Sequence, residues 1–343
     1  MFRRNPNPRP SRWGIVLVLA LALSVIADAR QSVTIKLGTI APENSPWVNA
    51  LRQMGSTWEK STDKRVILRL YAGSIPSDSS AISRMALDNL QAATLFVAGL
   101  GEIDPAFNVF GIPFFFESDA ELEHVQKALA PMFDQKLAAR KYRLLAWANG
   151  GWVRLFSKQP LKTLPEIQKA KLYTTEGDAK SEKWFAQAGF HVVPLATAQI
   201  PVQLKNPLGS INAAPSPPVY AAAAGFYKDA PYMLDMRLGP FATATVITEA
   251  AWAKISPADR AKITEAAVAM AKTVNAGAGG LDTKYIDEMK KAGLNVVTLD
   301  AKTQAEFKAT ADKLTATQRG SVVPADAYDA AVKARDEFRK MKK

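Results

Sequence analysis

The sequence predicts an α/β protein of about two domains, in which a parallel sheet is covered by helices. β-rich runs alternate with amphipathic helical segments, an order that is typical of βαβ units. The chain has 343 residues, of which 48% are hydrophobic and 22% are charged, as in an ordinary globular protein. It contains no cysteine, so a hydrophobic core must stabilise the fold without disulfides.

The first part of the chain predicts three strands and two helices in alternation. Ser45 is suited to cap the first helix, and Pro46 to occupy its first position. The predicted elements are strand Val33–Leu37, helix Trp47–Lys60, strand Val66–Tyr71, helix Ser80–Leu90 and strand Ala93–Val97. This βαβαβ order predicts a parallel sheet.

The strand and helix alternation recurs later in the chain. A long helix is predicted to begin at Pro257, with Ser256 as its N-cap. The other predicted strands are Arg143–Trp147, Trp152–Ser157, Lys171–Thr175, His191–Val193 and Thr243–Thr248. The other predicted helices are Asp178–Ala188, Val219–Tyr227, Lys284–Ala292 and Ala325–Lys340.

Residues 1–29 have the pattern of a cleavable secretory signal peptide. Four arginines precede the apolar run Ile15–Ala27, and an Ala-x-Ala cleavage pattern ends at Ala29. As a helix this run is about 20 Å long, too short to cross about 30 Å of hydrocarbon comfortably. An uncleaved N-terminal anchor is the alternative. Because there is no cysteine to carry a lipid anchor, we expect the mature protein to be free in the periplasm.

The net charge of +12 indicates a basic surface rather than a nucleic-acid site. The positive charges are spread along the chain, except in the tail Arg339–Lys343. No DNA or RNA motif accompanies them, and export also argues against nucleic acid as a partner.

The sequence offers little that suggests catalysis. It has only two histidines, His124 and His191, and no motif for a nucleophile, a metal site or a phosphate-binding loop. We therefore predict no catalytic residue, no metal and no cofactor. An enzyme would need an acid–base pair from Glu43, Glu176 and Asp178, but these residues precede helices, where carboxylates are favoured in any case.

Aromatic side chains and glycines cluster between two predicted strands. Gly150 and Gly151 allow a sharp turn between those strands. Such a turn could direct four side chains toward one point: Trp147, Asn149, Trp152 and Arg154. The alternative is that the tryptophans belong to the core and the arginine to the surface. The aromatic run Ile112–Phe116 is best explained as core.

These stretches resemble the substrate-binding proteins of tripartite ATP-independent periplasmic (TRAP) transporters, of the DctP type. The resemblance covers nearly all of the chain that follows the signal peptide, and its motifs occur in the right order. The matching segments are IKLGTIAPENSPW (35–47), LRLYAG (68–73), VAGLGEIDPAFNVFGIPFFF (97–116), WANGGWVRLFSK (147–158), LKTLPEIQKAKLY (161–173), residues 189–194, YAAAAGFYKDAPYML (220–234) and VITEAAW (246–252).

The resemblance implies a two-lobed periplasmic binding protein, similar to type II, that closes on a small ligand. Each lobe would be a mixed sheet flanked by helices, and crossover strands and a long helix would connect the lobes. The implied boundaries are residues 30–148 for lobe I, with a return at about 236–275, and 149–235 for lobe II, with a return at about 276–315. Residues 316–343 would form a helical tail. The implied partner is a TRAP membrane permease.

The chain departs from the family at the residues that would hold a carboxylate. Tyr173 stands where most members have an arginine, Ser216 lies near an asparagine position, and Val97 makes one strand end apolar. Arg154 matches a second family position and could partly substitute, or could form a structural ion pair. The predicted ligand-binding residues are Asn44, Trp47, Val97, Trp147, Asn149, Trp152, Arg154, Tyr173 and Ser216.

The missing arginine changes the expected ligand. The runs at 230–235, 238–240 and 244–247 resemble those of a subgroup that lacks the arginine and is associated with a periplasmic TPR-repeat protein. We therefore expect a ligand with substantial apolar surface rather than a plain dicarboxylate. The alternative function is a carrier or scaffold that hands a lipid-like ligand to a partner other than a permease.

Overall fold

The computed structural model describes residues 32–177 and 179–342. The predicted signal peptide, residues 1–29, and Asp178 lie outside the described residues. The strands are β1 (Val33–Thr39), β2 (Val66–Ala72), β3 (Ala92–Phe96), β4 (Tyr142–Ser157), β5 (Lys171–Thr175), β6 (His191–Leu195), β7 (Ala213–Ser216), β8 (Tyr232–Thr248) and β9 (Asn295–Val297).

Helices cover the sheet, as the sequence predicts. The α-helices are α1 (Pro46–Ser61), α2 (Asp78–Ala86), α3 (Val97–Ile103), α4 (Asp119–Ala139), α5 (Leu164–Lys169), α6 (Ala179–Gln187), α7 (Ile200–Lys205), α8 (Pro218–Ala223), α9 (Glu249–Ala253), α10 (Pro257–Lys291), α11 (Ala301–Ala316) and α12 (Ala325–Met341). Short 3₁₀ helices occupy Pro105–Gly111, Thr197–Gln199 and Phe226–Lys228. Among the helices of residues 32–177 and 179–342, none is both long and apolar enough to cross a membrane.

The fold is two-lobed, and one mixed sheet runs through both lobes. Its order is β2-β1-β3-β8-β4-β7-β5-β6, with β9 also paired to β8. β1 is parallel to β2 and β3, and β5 is parallel to β6 and β7. β4 and β8 run antiparallel to each other through the centre. The parallel sheet expected from the βαβ pattern is therefore wrong for the centre, while the mixed sheets implied by the family resemblance are confirmed.

The two long central strands explain how the lobes share a sheet. One end of β8 pairs with β3, over Thr243–Ile247, and the other end pairs with β9, over Tyr232–Leu234. β4 follows β8 between these ends, from Tyr142 opposite Thr248 to Ser157 opposite Tyr232. Strands of 16 and 17 residues are well above the usual strand length, which is possible because each contributes to two lobes.

The predicted turn at Gly150 and Gly151 is instead a bulge within β4. The pairing register with β8 shifts between Asn149 and Trp152, and the chain then continues as a strand. Gly151 has φ +96, a backbone conformation that favours glycine. The prediction of two separate strands, Arg143–Trp147 and Trp152–Ser157, was therefore wrong. The two glycines form a bulge, and the chain continues beyond them in the same direction.

Several other predicted boundaries also change. The helix predicted over Lys284–Ala292 is the end of the 35-residue helix α10. The helix predicted over Val219–Tyr227 ends at Ala223, because Gly225 adopts φ +74 before a 3₁₀ turn. Strand β7, over Ala213–Ser216, was not predicted. The first three strands and helix α1 are confirmed to within two residues.

The long helix α10 connects the two parts of the molecule. It packs against β4, against α1 on one side and against α8 on the other. Separate apolar clusters lie under the two ends of the sheet. One is built around Phe107, Phe110 and Phe133, and another around Phe156 and Phe226. The space between these clusters holds the cavity described next.

Candidate functional site

A cavity of about 340 Å³ lies where the two halves of the sheet meet. Its walls come from the carboxyl ends of β3 and β5, the region in which open α/β sheets bind ligands, and from the middle of β4 and β8. Aromatic side chains make up much of the lining. They are Phe96, Phe110, Phe114, Tyr173, Phe185, Phe190, Tyr220, Phe241 and Phe307.

The lining of this cavity carries no charge. Among the described residues around it there is no lysine, arginine, histidine, aspartate or glutamate. Besides the two tyrosines, its polar side chains are Thr174, Thr175, Thr197 and Ser216. Burying an ion in such surroundings without a partner is costly, so the lining favours ligands with apolar surface.

Tyr173 lies in the wall, at the position where the family resemblance led us to expect an arginine. Its hydroxyl shares hydrogen bonds with Thr175 Oγ1 at 3.0 Å and Thr197 Oγ1 at 2.8 Å. Burial raises the pKa of Tyr173 to about 12, so the hydroxyl stays neutral. The residue therefore supplies ring surface and a polar group that is already bonded within the protein.

Val97 and Ser216 also line the cavity. Val97 is the first residue of α3, directly after β3. Ser216 ends β7, and its hydroxyl donates to the carbonyl oxygen of Pro217 at 3.2 Å. The structure thus brings together three of the predicted site residues, Val97, Tyr173 and Ser216.

Arg154 points away from the cavity. Its neighbours in β4, Val153 and Leu155, both line the cavity, whereas Arg154 is not among the lining residues. The Arg154 side chain is buried on the other face, where its Nε lies 4.0 Å from Asp235 Oδ1. Burial lowers its pKa, although the charge of Asp282 opposes that shift. Arg154 therefore cannot substitute for the missing arginine in this arrangement.

The other predicted residues of β4 lie in the core. The Trp147 ring packs on Phe110 with 5.0 Å between ring centroids. Asn149 accepts a hydrogen bond from Gln126 Nε2 at 3.2 Å, and the backbone N–H of Trp152 donates to Asp282 Oδ2 at 2.9 Å. The expected convergence of four side chains is therefore not observed, because the chain does not turn at the two glycines.

The last two predicted residues lie outside the lining. Trp47 is half-buried behind Phe241, with 5.5 Å between the ring centroids, and Phe241 itself faces the cavity. Asn44 is exposed in the loop before α1. Trp47 therefore supports a wall residue rather than forming the wall.

Sequence reasoning missed most of the aromatic wall. Phe114 belongs to the aromatic run that the sequence assigns to the core. It lines the cavity and packs edge-on against Phe307, with 5.7 Å between ring centroids. Phe114 also has φ +59, a conformation that is rare for a non-glycine residue. No local signal in the sequence identifies Phe307, which reaches the cavity from α11.

A buried carboxyl group, that of Asp78, lies behind the wall. Its Oδ2 accepts the backbone N–H of Phe96 at 2.9 Å, and its Oδ1 is buried with no hydrogen-bond partner. A Cβ atom on Gly99 would lie 2.4 Å from Asp78 Cβ, so only glycine fits there. Burial raises the pKa of Asp78 to about 7. Asp78 thus fixes the start of α3, whose first residues line the cavity.

A smaller cavity of about 160 Å³ adjoins the first and shares part of its wall. The shared residues are Val97, Ala98, Gly111, Thr174, Thr175 and Phe185. The remaining lining residues are Asn108, Ser181, Trp184, Gln318 and Val322. We call the larger space the main chamber and the smaller one the side chamber.

Of the acid–base candidates, Glu43 and Glu176 do not form a catalytic pair, and Asp178 lies outside the described residues. Glu43 is exposed and forms an ion pair with Arg52. Glu176 follows β5, and its side chain is not part of the lining of either chamber. Within residues 32–177 and 179–342, no group of three or more acidic or histidine side chains could hold a metal ion.

Comparisons with known proteins agree on one family. The family model described as "Bacterial extracellular solute-binding protein, family 7", or DctP, matches residues 37–320. A solute-binding protein of Chromohalobacter salexigens is 24% identical over 299 residues, which are 85% of this chain and 87% of the relative.

Solved structures show the same fold. A sugar-acid-binding protein of Advenella mimigardefordensis, in complex with galactonate, superposes with a TM-score of 0.83 at 14% identity, covering 90% of this chain and 99% of that one. A TRAP periplasmic solute-binding protein of Desulfovibrio salexigens with bound orotic acid gives 0.82 at 15% identity, with 90% and 99% coverage. At these identities the similarity establishes the fold alone.

Proposed function

The chain belongs to the DctP family of bacterial extracellular solute-binding proteins, and we propose that it binds a small organic acid with substantial apolar surface and delivers it to a TRAP-type permease. The family and its relatives are solute-binding proteins rather than enzymes, and so is this chain. The observation that carries the ligand proposal is the main chamber, which is lined by aromatic and aliphatic side chains and has no charged lining residue among those described.

An acidic ligand is supported by what related proteins bind. The two solved structures compared above hold galactonate and orotic acid, both organic acids. In this chain, Tyr173 and not an arginine contributes to the wall, and Arg154 lies on the other side of β4. A ligand with only polar surface would lose at least one charge-assisted hydrogen bond here, worth roughly 1.5–3 kcal/mol.

Apolar surface on the ligand would offset that loss. Each buried CH₂ group contributes about 0.8 kcal/mol, so about two to four such groups balance one charge-assisted hydrogen bond. A chamber of about 340 Å³ is at the lower end of the size range of small-molecule sites. The proposed ligand is therefore small, with its apolar part larger than its acidic part.

The place of action and the partner are part of the same proposal. The family is extracytoplasmic, and we propose the periplasm as the location, with residues 1–29 as the cleaved signal. The TRAP permease is the proposed recipient of the ligand. Association with a TPR-repeat protein stays a prediction from the sequence runs at 230–247.

Thermal unfolding of the purified mature protein tests this function. We expect octanoate and benzoate to raise the unfolding temperature more than succinate or galactonate at equal concentration. A ligand present at 100 times its dissociation constant adds about 2.7 kcal/mol of stability, which is readily detected. Stabilisation by C4-dicarboxylates with none by the apolar acids would contradict the proposed ligand class. A protein that no acid stabilises would contradict the function itself.

A further inference from the structure

Four of the six polar side chains that line the main chamber, Tyr173, Thr175, Thr197 and Ser216, already form hydrogen bonds within the protein. The Tyr173 hydroxyl pairs with the hydroxyls of Thr175 and Thr197. The Ser216 hydroxyl donates to a backbone carbonyl. A ligand carboxylate placed here would have to break these bonds in order to gain donors. The main chamber is therefore better suited to the apolar part of a ligand.

Electrostatics also disfavour an anion at the tyrosine end of the main chamber. Burial is the largest cause that raises the pKa of Tyr173 and Tyr220, and the nearby charge of Asp78 raises both further. When Asp78 is ionised, above its raised pKa of about 7, its charge would also raise the free energy of a carboxylate placed beside these rings.

The side chamber provides a different set of groups. Asn108 and Gln318 place two carboxamides there, 7% and 5% exposed, and Ser181 adds a hydroxyl. Carboxamide N–H groups donate hydrogen bonds and can hold a carboxylate without a cation. No acidic or basic side chain belongs to the described lining of this chamber. Because Thr174 and Thr175 border both chambers, the two spaces adjoin, and a molecule that reached from one into the other would pass these residues.

We propose that the two chambers form one bipartite site for an amphipathic carboxylic acid, with the apolar body in the main chamber and the carboxylate in the side chamber, held by Asn108 and Gln318. This inference rests on the proposed function and goes beyond it, since it assigns the acid group to residues that neither the sequence nor the family resemblance identified. In this site two neutral amides bind the ligand carboxylate, a role for which an arginine was expected at position 173.

Two substitutions that preserve side-chain shape test this assignment. Asn108→Asp and Gln318→Glu each replace a donor amide with a carboxylate, which repels a ligand carboxylate. Calorimetric titration would compare octanoate with 1-octanol, which has the same chain without the acid. We expect each variant to bind octanoate weaker by roughly tenfold or more, because a charge-assisted bond is replaced by repulsion, while 1-octanol affinity stays within about twofold.

Gln126→Glu is the matched control. Gln126 is also 5% exposed, but it bonds to Asn149 and belongs to neither chamber. We expect this variant to leave the ratio of octanoate to 1-octanol affinity unchanged. Unfolding curves establish that each variant is folded, and Gln318→Leu gives a second, uncharged version of the test.

The outcomes of these titrations decide whether the bipartite site stands. If both side-chamber variants bind octanoate and 1-octanol with the wild-type ratio, the carboxylate lies elsewhere and the bipartite site is overturned. Equal losses for both ligands overturn it too, since they indicate general damage. If the wild type binds succinate or galactonate but neither eight-carbon probe, the bipartite site is overturned while the transport function stands. A wild type that binds no acid at all contradicts the proposed function.

Discussion

At the residue scale, the direction of Arg154 depends on the bulge in β4. Side chains alternate along a strand, so one irregular residue reverses the face of every later one. The register of β4 against β8 shifts between Asn149 and Trp152, just before Arg154, and again between Val153 and Leu155, at Arg154 itself. The sequence shows the two glycines, but it does not show how many extra residues the bulge contains. The cavity residues Val97, Tyr173 and Ser216 could be predicted, whereas the orientation of Arg154 could not.

We expect the hydroxyl of Tyr173 to contribute more to stability than to ligand binding. Tyr173→Phe removes its hydrogen bonds to Thr175 and Thr197, and we expect this to lower the free energy of unfolding by about 1 kcal/mol in urea titrations. Octanoate affinity should stay within about threefold, because the ring surface remains. Tyr71→Phe, at a 40% exposed tyrosine, is the control. A large loss of octanoate affinity in Tyr173→Phe would show that the hydroxyl binds the ligand directly.

Asp78 makes stability depend on pH. Burial raises its pKa from 3.8 to about 7, so between these values the folded protein keeps a proton that the unfolded chain has lost. The free energy of unfolding therefore falls as pH rises through this window, by up to about 1.4 kcal/mol per pH unit. Asp78→Asn cannot ionise and should flatten this part of the stability profile.

Urea unfolding at pH 5, 6 and 7 measures that change. Asp282, whose pKa burial raises to about 6, acts in the same direction, so some slope should remain in Asp78→Asn. The exposed Asp312→Asn serves as a control and should keep the wild-type profile. An Asp78→Asn profile as steep as that of the wild type would mean that Asp78 is ionised throughout this range.

At the scale of elements, helices with clear caps were the most predictable. Ser45 accepts the N–H of Val48 and Ser256 accepts that of Asp259, as expected for N-cap residues. The long central strands were not predictable, because each passes through two lobes and contains glycine or proline where a strand would ordinarily end. Local sequence signals describe the turn that these residues could form, while pairing with the neighbouring strand decides whether they form it.

The bulge of β4 gives an element-scale prediction. A Cβ atom at Gly151 would lie 2.3 Å from Asp282 Oδ1, and the residue has φ +96. Gly151→Ala should therefore lower the free energy of unfolding by more than about 1 kcal/mol, through strain and displacement of Asp282 from the Trp152 N–H. Chemical denaturation measures the change.

Gly280→Ala is the matched control for that substitution. Gly280 lies within α10 and has no atom within 4 Å of an added Cβ. Alanine is favoured over glycine inside helices, so this variant should gain roughly 0.5–1 kcal/mol. Equal effects of the two substitutions, in sign and size, would contradict the role given to the bulge.

At the scale of the whole molecule, the two halves of the sheet touch across the cavity. Ser79, after β2, donates to the backbone oxygen of Glu176, after β5, at 3.4 Å. The N–H of Ala198 donates to the oxygen of Pro76, also at 3.4 Å. These contacts indicate a closed arrangement. We expect ligand entry and release to involve separation of the halves, with α10 and the central strands as the connection.

A reversible cross-link tests the need for opening. The chain has no cysteine of its own, so Pro76→Cys combined with Ala198→Cys introduces a single thiol pair at a backbone contact. We expect oxidation to slow octanoate exchange by at least about tenfold in stopped-flow measurements, and reduction to restore it. The single-cysteine variants are controls. Unchanged exchange in the oxidised double variant would show that ligands reach the cavity without separation of the halves.

Fold class could be predicted at this scale, because a family resemblance spread over the whole chain specifies topology. The identity of the ligand could not, since the cavity collects side chains from distant segments such as Phe114 and Phe307. What changed most is the position of the acid group. From the sequence, Tyr173 and Arg154 were the candidates for contact with the acid group, whereas the geometry favours the amides of the side chamber.

Native mass spectrometry of the protein purified from the periplasm tests the central claim most directly. The instrument would measure the mass of any retained ligand, and chemical analysis of the released molecule would identify it. We predict a small organic acid whose apolar surface exceeds its polar surface, as the uncharged main chamber requires. Recovery of a C4-dicarboxylate or a sugar acid such as galactonate would contradict the account.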